Sequence, residues 1–160
     1  MFEKFGEFNS VEELNKTAEG LKAEGDADSL IELAVENGLD KEDAEDYMDG
    51  IVEELANKLM AAFGKIKVEE ADLKPYGIMI DWVQYIRNVC VDSEEMATAV
   101  RKKGKNLKDC MGKLLVYSFK NAKAVDRDIL KAAGVSGQCK LGIPDMGEAK
   151  KIIKKYYLGE

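Results

Sequence analysis

The side chains best suited to chemistry in this chain are carboxylates, and they crowd one stretch. Asp40, Glu42, Asp43, Glu45, Asp46, Asp49, Glu53 and Glu54 follow one another with a single lysine, Lys41, among them. Carboxylates so placed can act as general acid and base, bind a hard cation, or carry charge to a basic partner. The cation reading fails on spacing. Setting Gly50 at the sixth position of a calcium loop puts Tyr47 third and Ala56 twelfth, where oxygen ligands are needed. The acid–base reading lacks company. The chain has no histidine, so the commonest general base and the commonest zinc ligand are both missing. Cys90, Cys110 and Cys139 are too far apart for a zinc pairing. Gly64-Lys65, Gly104-Lys105 and Gly112-Lys113 have Leu59, Ala99 and Leu107 where a phosphate-binding loop needs its upstream glycine. Gly134-Val135-Ser136-Gly137 has the wrong spacing for a nucleophile elbow. The expectation is a protein without catalytic residues, metal or cofactor, and not an enzyme.

Binding remains. Glu42, Glu45, Asp46, Asp49 and Glu53 form a candidate acidic partner face. Arg101, Lys102, Lys103, Lys105 and Lys108 form a candidate phosphate-contacting patch, with a solvated helix end as the plainer reading, since cations are favoured there. Aromatic residues do not interleave with those bases as they do in single-strand binders. Tyr117 and Phe119 read as core, and so does the Phe2, Phe5, Phe8 series. Cys110 reads as a small buried hydrophobe.

The elements that must position the acidic face are helical. From Asp40 to Phe63, Ala44, Tyr47, Met48, Ile51, Val52, Leu55 and Leu59 recur at steps of three and four. The five acids fall near the opposite side, a period that fits a helix and not a strand. One long helix is expected, with Asp40 as N-cap, Asp43 in the first turn and Gly50 tolerated at about 1 kcal/mol. On it the acids would span about 16 Å at the usual rise per residue.

Around it, Phe2 to Phe8 suggest a helical turn within residues 1–9. Ser10 with Glu13 starts a helix that Gly25 closes. Ala27 to Asn37 forms another, stopped by Gly38. Beyond Pro75, helices are expected from Ile78 to Cys90, after Asp92, from Asn106 or Leu107, after Asp126, and after Asp145. Residues 135–144 are irregular, with room for a short turn or hairpin. The fold class is all-α, or mostly α with a minor hairpin near 135–144, as a multi-helix bundle.

The chain of 160 residues carries a net charge of −7, and the sum hides a split. Residues 1–72 hold 21 acids and 7 bases, a net of −14; residues 73–160 hold 10 acids and 17 bases, a net of +7. Such asymmetry fits an acidic N-terminal lobe, 1–68, and a basic C-terminal lobe, 76–160, divided near the Gly64 to Tyr76 stretch. Three scattered cysteines point to a reducing cytoplasm. No apolar leader region and no run near the ~20 apolar residues of a membrane span occur. Neither a secreted nor a membrane protein is expected.

Two resemblances give the binding reading a partner. Met96-Ala97 through Leu107-Lys108-Asp109-Cys110, on to Tyr117 and Ala122-Lys123, resembles the PcfK-like family. That family's pattern, K-P-G-K-S-L-x-x-C leading into a helix, reads here Lys102-Lys103-Gly104-Lys105-Asn106-Leu107-Lys108-Asp109-Cys110. Tyr156-Tyr157 is similar to its closing aromatic pair. The opening Met1 to Ser10, and the block from Glu36-Asn37-Gly38 to Tyr47-Met48-Asp49-Gly50, look like a type II-A Cas9-inhibitor (anti-CRISPR) family of mobile elements in Firmicutes. The resemblance implies a phage or conjugative-element protein in the bacterial cytoplasm that binds Cas9 and blocks it. Acidic DNA mimicry is the physical mechanism to attach. The alternatives are a nucleic-acid-associated accessory protein of such an element, acting through Arg101 to Lys108, and a non-catalytic structural module. The family carries no catalytic residue onto this chain.

Overall fold

In the computed structural model, which describes residues 2–159, Ser10 begins the first helix, α1 (Val11–Glu24). Its hydroxyl accepts the Glu13 N–H at 3.2 Å, and the Glu13 carboxylate returns to the Asn9 N–H at 2.7 Å. Asp26 caps α2 (Ala27–Glu36) by accepting from Ser29 N–H, and Asp43 accepts the Asp40 N–H at the start of α3 (Lys41–Met48). Asn57 caps α4 (Lys58–Leu73), accepting from Met60 N–H at 2.9 Å. After Pro75 come α5 (Ile78–Asp92) and α6 (Glu94–Arg101), the latter capped by Ser93, one residue beyond the expected Asp92. Then follow α7 (Leu107–Lys120), β1 (Lys123–Ala124), α8 (Arg127–Ala132), β2 (Lys140–Leu141) and α9 (Met146–Leu158). The expected class, all-α or mostly α with at most a minor hairpin near 135–144, is observed as mostly α with one small two-stranded antiparallel sheet. Strand β2 lies inside 135–144, but its antiparallel partner β1 precedes α8, with Lys123 opposite Leu141 and Ala124 opposite Lys140.

The long helix expected over Asp40 to Phe63 is two helices. Gly50 has φ +75° and follows the α3 C-cap, Asp49. The Gly50 N–H bonds Tyr47 C=O at 3.2 Å and the Ile51 N–H bonds Asp46 C=O at 2.9 Å. That pair of bonds is a Schellman motif, so Gly50 is a stop signal and not a tolerated interior glycine. Residues 51–57 are irregular, and Asn57 restarts the helix. Ile51 and Val52, counted on the apolar stripe, are exposed, while Leu55 and Ala56 are buried and pin the loop.

Residues 2–9 also form no helical turn; Met1 lies outside the described residues. Gly6 takes φ +77°, and the Lys4 and Phe5 N–H groups donate to the Glu36 carboxylate at 2.9 and 3.1 Å. Phe5 and Phe8 pack on the core as the sequence suggests.

The chain forms two compact units, residues 1–108 and 109–160. The stretch 64–76 lies inside the first, where α4 continues unbroken to Leu73. The first unit buries Leu14, Leu30, Leu33 and Leu55 in one cluster, and Ile66, Trp82, Ile86 and Met96 among α4, α5 and α6. Helix α4 meets the end of α2 backbone to backbone. A Cβ on Gly64 would lie 2.2 Å from Asn37 O, and one on Gly38 would lie 2.1 Å from Gly64 O. In the second unit Cys110, Leu114, Ala149, Ile153 and Tyr157 are buried.

Candidate functional site

The five acids of the candidate face are all exposed. Glu42, Glu45 and Asp46 lie on α3; Asp49 and Glu53 lie beyond its end, on the turn and loop that Gly50 opens. The face is therefore a helix-plus-loop surface and not a straight helical row. Among the described residues one ion pair touches it, Lys41 to Glu45 at 2.7 Å within α3. No lysine of residues 76–108 pairs with the five among the described residues. Their charge is left facing solvent.

Local bonds hold this surface firm. The Asn15 side chain of α1 donates to Ala56 C=O at 2.8 Å and accepts the Ala56 N–H at 3.1 Å, closing a two-point clamp on the loop. Lys22 donates to Tyr47 C=O at 2.6 Å, and its ammonium lies 4.4 Å from the Tyr47 ring centre. A cation at a helix C-terminus is favourable, and here it fixes the last turn of α3 against α1.

Beside the loop is a cleft of about 1030 Å³ within the first unit. Its rim holds Glu12, Glu19, Glu53, Glu54 and Glu94 against two lysines, Lys16 and Lys58. Lys58 is paired with Glu94 at 3.0 Å. Its apolar lining includes Val11, Leu59, Val91 and Ala97. Cys90 also lines it; burial pushes that thiol up to about 12, so it is a packing group and not a nucleophile. An apolar floor with a carboxylate rim suits a basic amphipathic segment. Of this rim, Glu53 and Glu54 belong to the carboxylate stretch legible in the sequence, and Glu53 alone to the candidate face. The cleft exists because Gly50 folds the chain back, a break that periodicity did not show.

The basic patch changes membership. Lys102, Lys103 and Lys108 are exposed and Lys105 is half-buried, but Arg101 is 2% exposed and leaves the patch. Its guanidinium donates to Asn37 Oδ1 at 2.9 Å and lies 5.5 and 5.9 Å from the Phe2 and Phe8 ring centres. Arg101 is part of a buried charged cluster that the sequence analysis did not single out. Lys65, 1% exposed, donates to Glu7 at 2.6 Å, to Lys102 C=O at 2.8 Å and to Lys105 C=O. Glu69, 2% exposed, accepts the Leu107 N–H at 2.8 Å. Desolvation raises the Glu69 carboxyl to about 7, against the opposing pull of the Leu107 N–H and Lys65. A signal existed: Ala62, Lys65, Ile66 and Glu69 share one face of α4, so two charges sit on an apolar stripe.

Among the described residues no group of three or more His, Cys, Asp or Glu side chains is placed to hold a metal ion, and no helix is long and apolar enough to cross a membrane. No protein-family model, curated protein or solved structure matches the chain.

Proposed function

We propose that this is a non-catalytic binding protein whose acidic first unit engages a strongly basic partner, and that the partner is Cas9. The observation that carries the first part is the clamped surface of Glu42, Glu45, Asp46, Asp49 and Glu53, which continues into the acidic cleft. A backbone held by the Asn15 and Lys22 bonds keeps the solvent-facing carboxylates in one region, and their field steers a cationic partner. The name Cas9 comes from the resemblance to the anti-CRISPR family. Such a protein would work in the bacterial cytoplasm, occupying arginines that read the PAM or hold the DNA backbone.

Tagged protein mixed with guide-loaded Cas9 tests this. The complex should form at low salt, weaken steeply as salt rises, and weaken again when Asp46, Asp49 and Glu53 are reversed to lysine. A complex indifferent to salt and to those reversals removes mimicry, and no complex at all removes Cas9. The second reading, a nucleic-acid accessory protein, is favoured by the exposed Lys102, Lys103 and Lys108 around one turn. A gel shift by the protein alone, lost on reversing those lysines, would select it. A structural module of the same element remains if neither interaction is seen.

A further inference from the structure

The second unit keeps too much apolar surface in water. It contributes five of the 27 buried hydrophobic residues found among the described residues, but seven of the 14 large exposed ones. Four of those seven gather at one seam. Gly142 presses against the last turn of α7, where a Cβ on it would lie 2.0 Å from Ser118 O and 2.8 Å from Ala122 Cα. Leu141 and Ile143 flank that glycine, 63% and 61% exposed. Phe119 follows Ser118, 76% exposed, and Leu115 stands one helical turn before it, 50% exposed. Exposed lysines edge the same seam: Lys120 beside Phe119, Lys123 opposite Leu141 in the β1–β2 register, and Lys140. These four exposed apolar residues lie around one close backbone approach and are bordered by lysines, and exposed apolar surface rimmed by polar groups marks an interaction site.

The charge of that rim selects the occupant. Residues 109–160 hold ten bases and six acids, a net of +4, so two such faces repel each other. The cleft of the first unit has the opposite design, an apolar lining inside a carboxylate rim. We propose that the Leu115–Phe119–Leu141–Ile143 face of one copy docks into the acidic cleft of the first unit of a second copy. The contact is heterologous: each copy offers one donor face and one acceptor cleft. Apolar burial supplies the attraction and the lysine–carboxylate rim supplies orientation. The inference shares the cleft with the proposed function but requires no Cas9, and it is measured with none present, so either can fail alone.

Sedimentation velocity over a concentration series tests it. At low salt the average mass should climb with concentration, and moving from about 0.05 M to about 0.5 M salt should weaken association by roughly tenfold or more. Phe119→Ser with Leu141→Ser disables the face, and Glu19→Lys with Glu54→Lys disables the cleft. All four positions are exposed, and circular dichroism checks that each variant folds. Each double variant alone should stay monomeric. Mixed, they should form a complex that stops at two chains, because one intact face meets one intact cleft. A protein that is monomeric at every concentration overturns the proposal. Association that survives reversal of the cleft also overturns it, pointing to a face-to-face contact. So does a monomer that co-sediments with anionic phospholipid vesicles through Phe119 and Leu141, pointing to a lipid surface.

Discussion

Glu69 is the residue whose surroundings make the sharpest demand on solvent conditions. It is buried on α4, holds the N–H of Leu107 at the start of α7, and faces Lys65, Glu7 and Arg101. Desolvation raises its carboxyl to about 7, while in the unfolded chain it titrates near 4.5. Between these values the folded state binds the extra proton, so stability falls as pH rises from about 4.5 to about 7 and is level above. The full effect is on the order of 3 kcal/mol at one pKa unit per 1.36 kcal/mol. Glu69→Gln keeps an acceptor for Leu107 and removes the proton. Urea midpoints at pH 5 and pH 8 should therefore differ less in the variant than in the parent, by that order of energy. Equal differences would mean that Glu69 ionises as an ordinary surface acid. Lys65 is held in the same cluster, its own pKa lowered by desolvation, yet all its donors point at Glu7 and the carbonyls of Lys102 and Lys105. It staples the turn that bears the exposed lysines of the basic patch.

Elements in this chain are set by their ends more than by their stripes, and that is where the sequence was easiest and hardest to read. Ser10, Asp126 and Asp145 start helices as their side chains predict, because a cap is a local hydrogen bond. Gly38 stops α2 in the left-handed conformation for the same reason. Gly50 carries the same information but reads as a tolerated interior glycine, since apolar residues continue at helical spacing beyond it; Ile51 and Val52 keep that spacing while exposed. The acidic face was legible as a set of residues, but its shape depends on that stop and on the Asn15–Ala56 clamp, a contact across 41 positions that no local pattern encodes. Arg101 misled because a helix-end arginine beside Lys102 and Lys103 reads as solvated until Phe2, Phe8 and Asn37 are placed around it. The close approach of α2 and α4 was equally invisible, and it gives a paired prediction. Gly64→Ala puts a methyl 2.2 Å from Asn37 O and should cost about 1–3 kcal/mol or more by overpacking. Gly20→Ala, on α1 with nothing within 4 Å, should stabilise by about 0.5–1 kcal/mol. Thermal melts of the two variants should move in opposite directions; a shared direction would mean that the α2–α4 contact is looser than drawn.

At the scale of the whole molecule, charge and core are divided unequally. Residues 1–108 hold 25 acids and 14 bases, a net of −11, against +4 for residues 109–160. Among the described residues the first unit also holds 22 of the 27 buried hydrophobic ones, with the loop at Ala56, the end of α3 and the turn after α6 tied down by Asn15, Lys22 and Lys65. The second rests on five, and residues 131–138 are exposed throughout. Local opening free energy follows buried apolar contact and protected backbone, so the units should open separately. Native-state hydrogen exchange should find the amides of α1, α2 and α4 best protected, and those of α8, β1 and β2 exchanging at least about a hundredfold faster, a gap of about 3 kcal/mol. If the face around Phe119 docks on a second copy, protection in β1, β2 and the end of α7 should rise with protein concentration while that of α1 stays level. Equal protection of both units at low concentration would mean that the second is held by more than its five buried hydrophobic side chains and Pro144.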